Sequence, residues 1–262
     1  MGAMFFRIFL LVVLFAGCGK HPSRLTKEKS QLDRLIAPEI QNDALYNAIR
    51  RLASTEDVAT ILEIGSSSGE GSTMAFASGI RKNPRHPILA CMEVSKRRFD
   101  QLQKQYAGDP QIRCYNVSSV PIESFPQESD LIRFYETAPP EVIHASLPEV
   151  FRWLKQDIEY LQRDTVPQRG IELIKQDLGI ENFDMVLIDG SEFTGQAELE
   201  QLYGAKFILL DDTLSFKNYA NRIRLLQDPQ YELLEENLSL RNGYSIFKRS
   251  SKRDSMVKPD RS

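Results

Sequence analysis

Short apolar runs alternate with amphipathic segments along most of the chain. Five runs are nearly continuous in apolar residues, as expected for strands buried on both faces: VATILEIG (58–65), HPILACMEV (86–94), IRCYNVSSV (112–120), FDMVLIDG (183–190) and AKFILLDD (205–212). The segments 71–79, 95–108 and 195–204, which lie between these runs, have the composition and end signals of helices. Strands that alternate with helices predict right-handed crossovers and a mainly parallel sheet covered on both faces.

The two ends of this pattern add a helix and a hairpin. Apolar residues recur at helical spacing between Ser30 and Ser54, and Asn42 or Asp43 is placed to cap that helix. Near the other end, YELLEENL and GYSIFKR are joined by SLRN, which is typical of an antiparallel hairpin. The predicted fold is therefore α/β, a Rossmann-like, doubly wound and mainly parallel sheet with a C-terminal antiparallel hairpin.

Residues 124–182 interrupt the alternation. The segment SLPEVFRWLKQDIEYLQRD places four apolar residues on one helical face, namely Val150, Leu154, Ile158 and Leu161. We interpret the region as a helical insertion between the third and fourth strands. It is positioned to cover an acceptor pocket and exclude water; the alternative is a helical hairpin that only thickens the domain.

Composition excludes several classes of protein. The chain is 42% hydrophobic and 26% charged with a net charge of −3, so it is not of the disordered type. No basic face of the kind that binds nucleic acid stands out, and no nucleic-acid partner is expected. Three cysteines are too few, and odd in number, to indicate a disulfide framework.

Residues 1–29 form a hydrophobic leader and linker that precede a domain at 30–249 and a flexible basic tail at 250–262. The stretch MFFRIFLLVVLFAGC has the form of a secretory signal and resembles a bacterial lipoprotein signal, in which Cys18 would carry the lipid. The basic residues after it, from Lys20 to Lys29, favour retention in the cytoplasm. The expected location is the cytoplasm or the cytoplasmic face of the membrane, with the N-terminus as a possible anchor; the alternative is a lipid-anchored extracytoplasmic protein.

The segment ILEIGSSSGEGST places a carboxylate, Glu63, directly before a turn that contains Gly65, Gly69 and Gly71. The spacing G-x-x-x-G-x-G differs from the dinucleotide fingerprint G-x-G-x-x-G and lacks the lysine of a P-loop. A carboxylate at this place disfavours a pyrophosphate and suits a ligand that carries an amino group. An NAD-dependent oxidoreductase therefore fits this turn poorly.

With Glu93 after the second strand, this segment resembles the class I S-adenosylmethionine-dependent methyltransferases, and the similarity runs through most of residues 30–249. The resemblance implies S-adenosylmethionine as cofactor. It implies that the turn holds the methionine end, that the acid after the second strand holds the ribose, and that the residues after the third strand hold the adenine. The cofactor-binding residues it implies are Glu63, Gly65, Ser67, Gly69, Glu93, Asn116, Val117 and Ser118.

Three further carboxylates follow the fourth and fifth strands, namely Asp189, Asp211 and Asp212. Because these strand ends share one edge of the sheet, the carboxylates are placed to converge, and all-oxygen ligation suits Mg²⁺ or Ca²⁺. The arrangement resembles the divalent-metal O-methyltransferases, such as the catechol and sugar enzymes, and the resemblance implies Mg²⁺ that chelates the acceptor oxygens. The alternative is that these aspartates cap or turn the chain locally.

The catechol enzymes carry a lysine three positions after the first of these acids, where this chain has Glu192. Candidate bases are therefore Glu192, Lys217 and His144. The sequence predicts a methyltransferase that transfers a methyl group to a hydroxyl of a small-molecule acceptor, with the oligomeric state left open. The alternative is a non-catalytic methyltransferase-like domain that binds a ligand or partner.

Overall fold

The computed structural model describes residues 31–250. The predicted leader, and all of the predicted tail after Ser250, lie outside the described residues. Within residues 31–250, no helix has both the length and the apolar character needed to cross a bilayer.

A seven-stranded sheet forms the centre of the molecule, with strands β1 (Thr60–Ile64), β2 (Ile88–Met92), β3 (Ile112–Tyr115), β4 (Met185–Ile188), β5 (Phe207–Asp211), β6 (Tyr231–Asn237) and β7 (Tyr244–Arg249). Their order in the sheet is β3-β2-β1-β4-β5-β7-β6. The first five pair in parallel, and β7 pairs antiparallel with both β5 and β6. The predicted mainly parallel sheet with a C-terminal antiparallel hairpin is confirmed.

Eight helices accompany these strands in the described part of the chain. They are α1 (Ala44–Thr55), α2 (Ser72–Ile80), α3 (Lys96–Gln105), α4 (Glu128–Thr137), α5 (Leu147–Arg163), α6 (Gly170–Leu178), α7 (Gly195–Leu202) and α8 (Tyr219–Gln227). Short 3₁₀ helices occupy Gln31–Asp33, Ile122–Ser124 and Pro140–Val142.

Side chains alternate across each strand, so the sheet has a hydrophobic core on either face. Ile61 of β1 belongs to the core shared with α1, α2 and α3, whereas Leu62 and Ile64 belong to the core shared with α4 to α8. Strands buried on both faces need apolar residues at every position, which is why these runs are nearly continuous in the sequence.

The helix predicted from Ser30 begins later than expected. Asp43 is its N-cap, with the side chain accepting a hydrogen bond from the Tyr46 backbone at 2.8 Å. Residues 34–43 are not helical, and the prediction is wrong for them. Pro38 disfavours a helical conformation in the residue before it, and Asn42 has a left-handed φ of 55°. This N-terminal segment, residues 31–43, lies instead over the carboxyl edge of the sheet.

The region between β3 and β4 contains α4, α5 and α6. Helix α5 begins with a capping box between Ser146 and Glu149, and its apolar face packs on the core. Of the four residues expected on that face, Val150, Leu154 and Leu161 are buried and Ile158 is partly buried. This packing holds α5 across the carboxyl ends of the strands.

Candidate functional site

A cavity of about 310 Å³ opens at the carboxyl ends of the parallel strands. The strand order reverses between β1 and β4, and an open α/β sheet binds its ligands at such a crevice. The loops after β1, β2, β3, β4 and β5 all contribute to its walls, and α5 and the N-terminal segment cover it. We call this cavity the cleft.

The loop after β1 makes its turn at Gly65, which lines the cleft with a φ of +91°. A Cβ atom at this position would lie 2.0 Å from the backbone oxygen of Asp189, so only glycine lets the loops after β1 and β4 approach this closely. Ser67, also with a positive φ of 48°, lines the cleft too. The turn therefore presents backbone to whatever occupies the cleft.

Glu63 and Gly69 are not among the residues that line the cleft, and that they bind the cofactor stays a prediction. Glu63 is fully buried, and its Oε2 accepts hydrogen bonds from Ser66 Oγ at 2.7 Å and Thr73 Oγ1 at 2.6 Å. Burial raises the pKa of Glu63, although these hydroxyls oppose the shift. Gly69 packs on α3, where its carbonyl accepts a hydrogen bond from Tyr106 at 2.6 Å. Both residues shape the turn from behind.

Glu93 directly follows β2 and lines the cleft. Its Oε1 accepts a hydrogen bond from the Ser95 backbone at 2.7 Å, which fixes the carboxylate at the start of α3. Burial raises the pKa of Glu93, while backbone hydrogen bonds and Arg98 oppose the shift. A buried, fixed carboxylate at a strand end is suited to accept hydrogen bonds from a pair of ligand hydroxyls.

Of the residues after β3, some line the cleft and others support its wall from behind. Val117 and Ser118 line the cleft. Asn116 stands behind the wall and donates hydrogen bonds from Nδ2 to the carbonyls of Glu93 at 2.8 Å and Val94 at 3.0 Å. Asn116 thus orients the ends of β2 and β3 toward each other.

Asp33 ties the N-terminal segment to the rest of the site. Its Oδ1 accepts hydrogen bonds from Ser95 Oγ at 2.9 Å and from Tyr160 Oη of α5 at 2.7 Å. Tyr160 in turn accepts a bond from the Lys96 backbone at 3.2 Å. The segment, the insertion and the start of α3 are therefore joined at one point beside Glu93.

The three aspartates at the carboxyl ends of β4 and β5 lie together. Asp189, Asp211 and Asp212 each contribute one carboxylate oxygen, and these three oxygens lie within 4.8 Å of one another. Asp212 has a left-handed φ of 53°, which turns the chain at the end of β5. Asp189 and Asp212 line the cleft, whereas Asp211 is buried behind it. We call these three residues the acidic cluster.

Lys217 enters this cluster from the loop before α8. Its Nζ lies 2.9 Å from Asp189 Oδ1 and 2.6 Å from Asp212 Oδ2. Burial lowers the pKa of Lys217, but Asp189, Asp212 and Glu192 outweigh it and hold the pKa well above the ordinary value. Lys217 is therefore a protonated cation and a poor general base.

The pKa values of Asp189 and Asp212 shift in opposite directions, although both residues contact Lys217. Burial raises the pKa of Asp212, but Lys217 and Asn242 bring the pKa below its ordinary value. Burial also raises the pKa of Asp189, and the two other aspartates add to the shift, so that this pKa lies well above its ordinary value despite Lys217. The pKa of Asp212 is therefore shifted downward and that of Asp189 upward, although both carboxyl groups lie within hydrogen-bond distance of Lys217 Nζ.

The donor chemistry of the acidic cluster suits a hard divalent cation, but the cluster already contains two organic cations. Lys217 occupies oxygens of Asp189 and Asp212, and Arg241 Nη2 lies 3.0 Å from Asp211 Oδ1. A metal ion does not fit this arrangement unless these three ion pairs are broken. That these aspartates bind a metal ion stays a prediction.

The two other candidate bases lie outside the wall of the cleft. Glu192 accepts hydrogen bonds from Ser215 Oγ at 3.1 Å and from the Lys217 backbone at 3.4 Å, and burial raises its pKa. His144 is exposed, with Nε2 hydrogen-bonded to the Leu214 carbonyl at 2.8 Å. The structure does not bring either side chain to the cleft.

Sequence analysis missed one acid in the wall of the cleft and one acid that supports that wall, because neither is near a motif. Asp157 of α5 lines the cleft, and burial raises its pKa to about 6 even though it accepts a hydrogen bond from Ser191. Glu198 is fully buried, where its Oε1 accepts from Ser119 at 2.5 Å and Thr194 at 2.7 Å. The sequence does contain a signal for Asp157: it lies three positions after Leu154 and therefore on the predicted apolar face of the helix.

No protein-family model and no curated protein matches this sequence. Among solved structures, a candidate O-methyltransferase from Klebsiella pneumoniae superimposes with a TM-score of 0.50 at 12% identity, over 87% of this chain and 93% of that one. An O-methyltransferase from Bacillus cereus in complex with SAH superimposes with a TM-score of 0.47 at 12% identity, over 87% of this chain and 94% of that one. A methyltransferase from Geobacter sulfurreducens gives 0.48 at 11% identity, over 81% of each chain.

At these identities the likeness concerns the fold alone. Together with the strand order, the match to the Klebsiella structure shows that the two proteins share a Rossmann-like fold.

Proposed function

We propose that this protein is an S-adenosylmethionine-dependent methyltransferase that acts on a hydroxyl of a small molecule. The observation that carries the proposal is that Gly65 and Glu93, from the ends of two neighbouring parallel strands, line one cleft at the switch point of the sheet. These groups match the two ends of the cofactor: open backbone for the methionine part and a fixed carboxylate for the ribose hydroxyls.

The remaining walls suit the rest of such a cofactor. Val117, Phe125 and Leu161 offer an apolar surface for a purine, and Ser118 adds a polar group beside it. The cover formed by α5 and the N-terminal segment excludes water from a ligand bound beneath it. Glu63, Gly69 and Asn116 support these walls without contacting the cofactor.

The polar end of the cleft is the proposed acceptor site. Asp189, Asp212 and Lys217 line it, on the β4 and β5 side of the glycine turn. In an in-line transfer, the bond from sulfur to the methyl carbon breaks as the acceptor oxygen forms its new bond, and the hydroxyl proton leaves. The residues of this end orient the hydroxyl, and their carboxylates are the proposed proton acceptors.

Titration calorimetry with S-adenosylmethionine tests the cofactor site. We expect the full-length protein to bind with a micromolar Kd, about −8 kcal/mol. Glu93→Ala removes the ribose acceptor and should weaken binding about 10- to 100-fold, in line with about 1.5–3 kcal/mol for a hydrogen bond to a charged group. Glu93→Gln, which retains the shape of the side chain, covers the case in which the alanine variant misfolds.

Glu232→Gln is the matched control, because Glu232 is an exposed glutamate on β6. It should bind as the parent does. No binding by a folded parent would overturn the proposal. Binding without methyl transfer to any member of a panel of phenols, catechols and sugars would instead favour the non-catalytic ligand-binding domain.

A further inference from the structure

The acidic cluster occupies the place where the resemblance to divalent-metal O-methyltransferases implies Mg²⁺. In this chain a lysine side chain stands within it. Lys217 Nζ contacts Asp189 at 2.9 Å and Asp212 at 2.6 Å, and the side chain of Lys217 is only 7% exposed. The distances are those of charge-assisted hydrogen bonds.

The local structure holds Lys217 in this position. Its backbone N–H lies within hydrogen-bond distance of Ser215 Oγ at 3.3 Å and Glu192 Oε1 at 3.4 Å. The next residue, Asn218, donates from Nδ2 to the carbonyls of Ile188 and Asp211, which joins this loop to the ends of β4 and β5. Displacement of Lys217 by a metal would therefore leave an ammonium buried without its partners, which is strongly unfavourable.

The charges around the acidic cluster also disfavour a metal ion. Arg241 forms ion pairs with Asp211, at 3.0 Å, and with Asp43. Each of the three carboxylates of the cluster is therefore already paired with a cation, two with Lys217 and one with Arg241. A divalent ion added among them would lie within a few ångströms of the ammonium, and like charges at that separation repel strongly in a buried site.

We propose that Lys217 is the resident cation of this site, that it takes the place of a divalent metal, and that its ammonium binds the acceptor oxygen. Two of its three N–H donors go to Asp189 and Asp212, and Lys217 lines the cleft, so the third is available to a ligand. Binding of the acceptor oxygen by Lys217 rests on the proposed function, whereas the exclusion of metal does not.

This arrangement also defines a class of acceptor. A metal ion chelates two neighbouring oxygens, whereas one N–H binds a single oxygen. We therefore expect a monohydroxyl acceptor, such as a phenol, to serve as well as its vicinal diol. We also expect chelators to leave turnover unchanged within about twofold, in contrast to a reaction that needs metal.

Binding of Mn²⁺ followed by electron paramagnetic resonance tests the exclusion of metal without any turnover. Three forms of the full-length protein are compared: the parent, Lys217→Met and Lys206→Met. Lys206 is the matched control, because its exposed side chain pairs with Asp184 at the amino ends of β4 and β5, opposite the cluster. We expect the parent and Lys206→Met to bind Mn²⁺ with a Kd weaker than about 1 mM, and Lys217→Met to gain one site at least about tenfold tighter.

Two results would overturn the proposal: a Mn²⁺ site in the parent that Asp212→Asn removes, or no gain of binding in a folded Lys217→Met. If Lys217→Met does not fold, the parent and Asp212→Asn decide the question by themselves. Because the readout is Mn²⁺ alone, failure here is distinct from failure of the parent to bind S-adenosylmethionine.

Discussion

Ser191 donates a hydrogen bond to Asp157 Oδ2 over 2.6 Å, and this bond joins the insertion to the loop that follows β4. One turn further along α5, Tyr160 is bonded to Asp33 and to the start of α3. Helix α5 thus spans the cleft from its β4 side to its β2 side. The insertion is a cover of the site, held at both ends by specific polar contacts.

Asp157 should make stability depend on pH. Burial raises its pKa from 3.8 to about 6, so folding disfavours the ionised form. The penalty is absent below about pH 4, develops as pH rises through 6 and reaches at most about 3 kcal/mol. Asp157→Asn should therefore raise the free energy of unfolding at pH 8 and change it little at pH 4. Urea denaturation of both forms at each pH measures this, and a difference that is the same at both pH values would contradict it.

Gly65 should tolerate no side chain. In Gly65→Ala the new Cβ would lie 2.0 Å from the Asp189 carbonyl oxygen, in addition to the strain of a positive φ. We expect a loss of more than about 4 kcal/mol in the free energy of unfolding, or failure to fold. Gly108→Ala is the control, since Gly108 has a φ of +83° with open space around it, and it should cost only about 1–2 kcal/mol. Equal costs in thermal denaturation would show that the close approach of the two loops is unimportant.

Glu63 should act on stability more than on direct cofactor contact. Glu63→Ala removes the buried acceptor of the Ser66 and Thr73 hydroxyls; Thr73 retains the Ser66 carbonyl at 3.3 Å, so we expect a cost of about 1–3 kcal/mol, mainly from Ser66. Glu63→Gln keeps an oxygen in place and should cost less. Denaturation compared with calorimetry separates the two roles. If Glu63→Gln were as stable as the parent but bound S-adenosylmethionine far more weakly, the side chain would have to reach the ligand.

Tyr160→Phe should loosen the cover. The change removes the bond to Asp33 and the acceptor for the Lys96 backbone, and we expect a loss of about 1–2 kcal/mol together with faster proteolysis within residues 31–43. Tyr203→Phe is the control, because its hydroxyl is bonded to Asp228 at a distant position. Equal protease sensitivity of the two variants would argue against a link between α5 and the N-terminal segment.

Local sequence was sufficient for the sheet and for the edge at which the site lies. Apolar runs such as 58–65 and 205–212 must be buried on both faces, and the helices between them force parallel pairing, so the acids that follow the strands meet at one edge. The helix predicted from Ser30 failed for residues 34–43, because apolar spacing does not show that Pro38 and Asn42 break the helix. Because of that error, the sequence did not predict that the N-terminal segment covers the cleft.

What the sequence by itself determined is therefore the doubly wound sheet and the group of residues gathered at its carboxyl edge, since both follow from periodicity within short windows. Only the tertiary structure decided what each of those residues does. Glu63 turns inward to the hydroxyls of Ser66 and Thr73, Lys217 folds back between two aspartates, and Asp157 reaches Ser191 across 34 positions. The physical reason is that the role of a charged group depends on its burial and its partners, and these are set by packing between segments far apart in the chain.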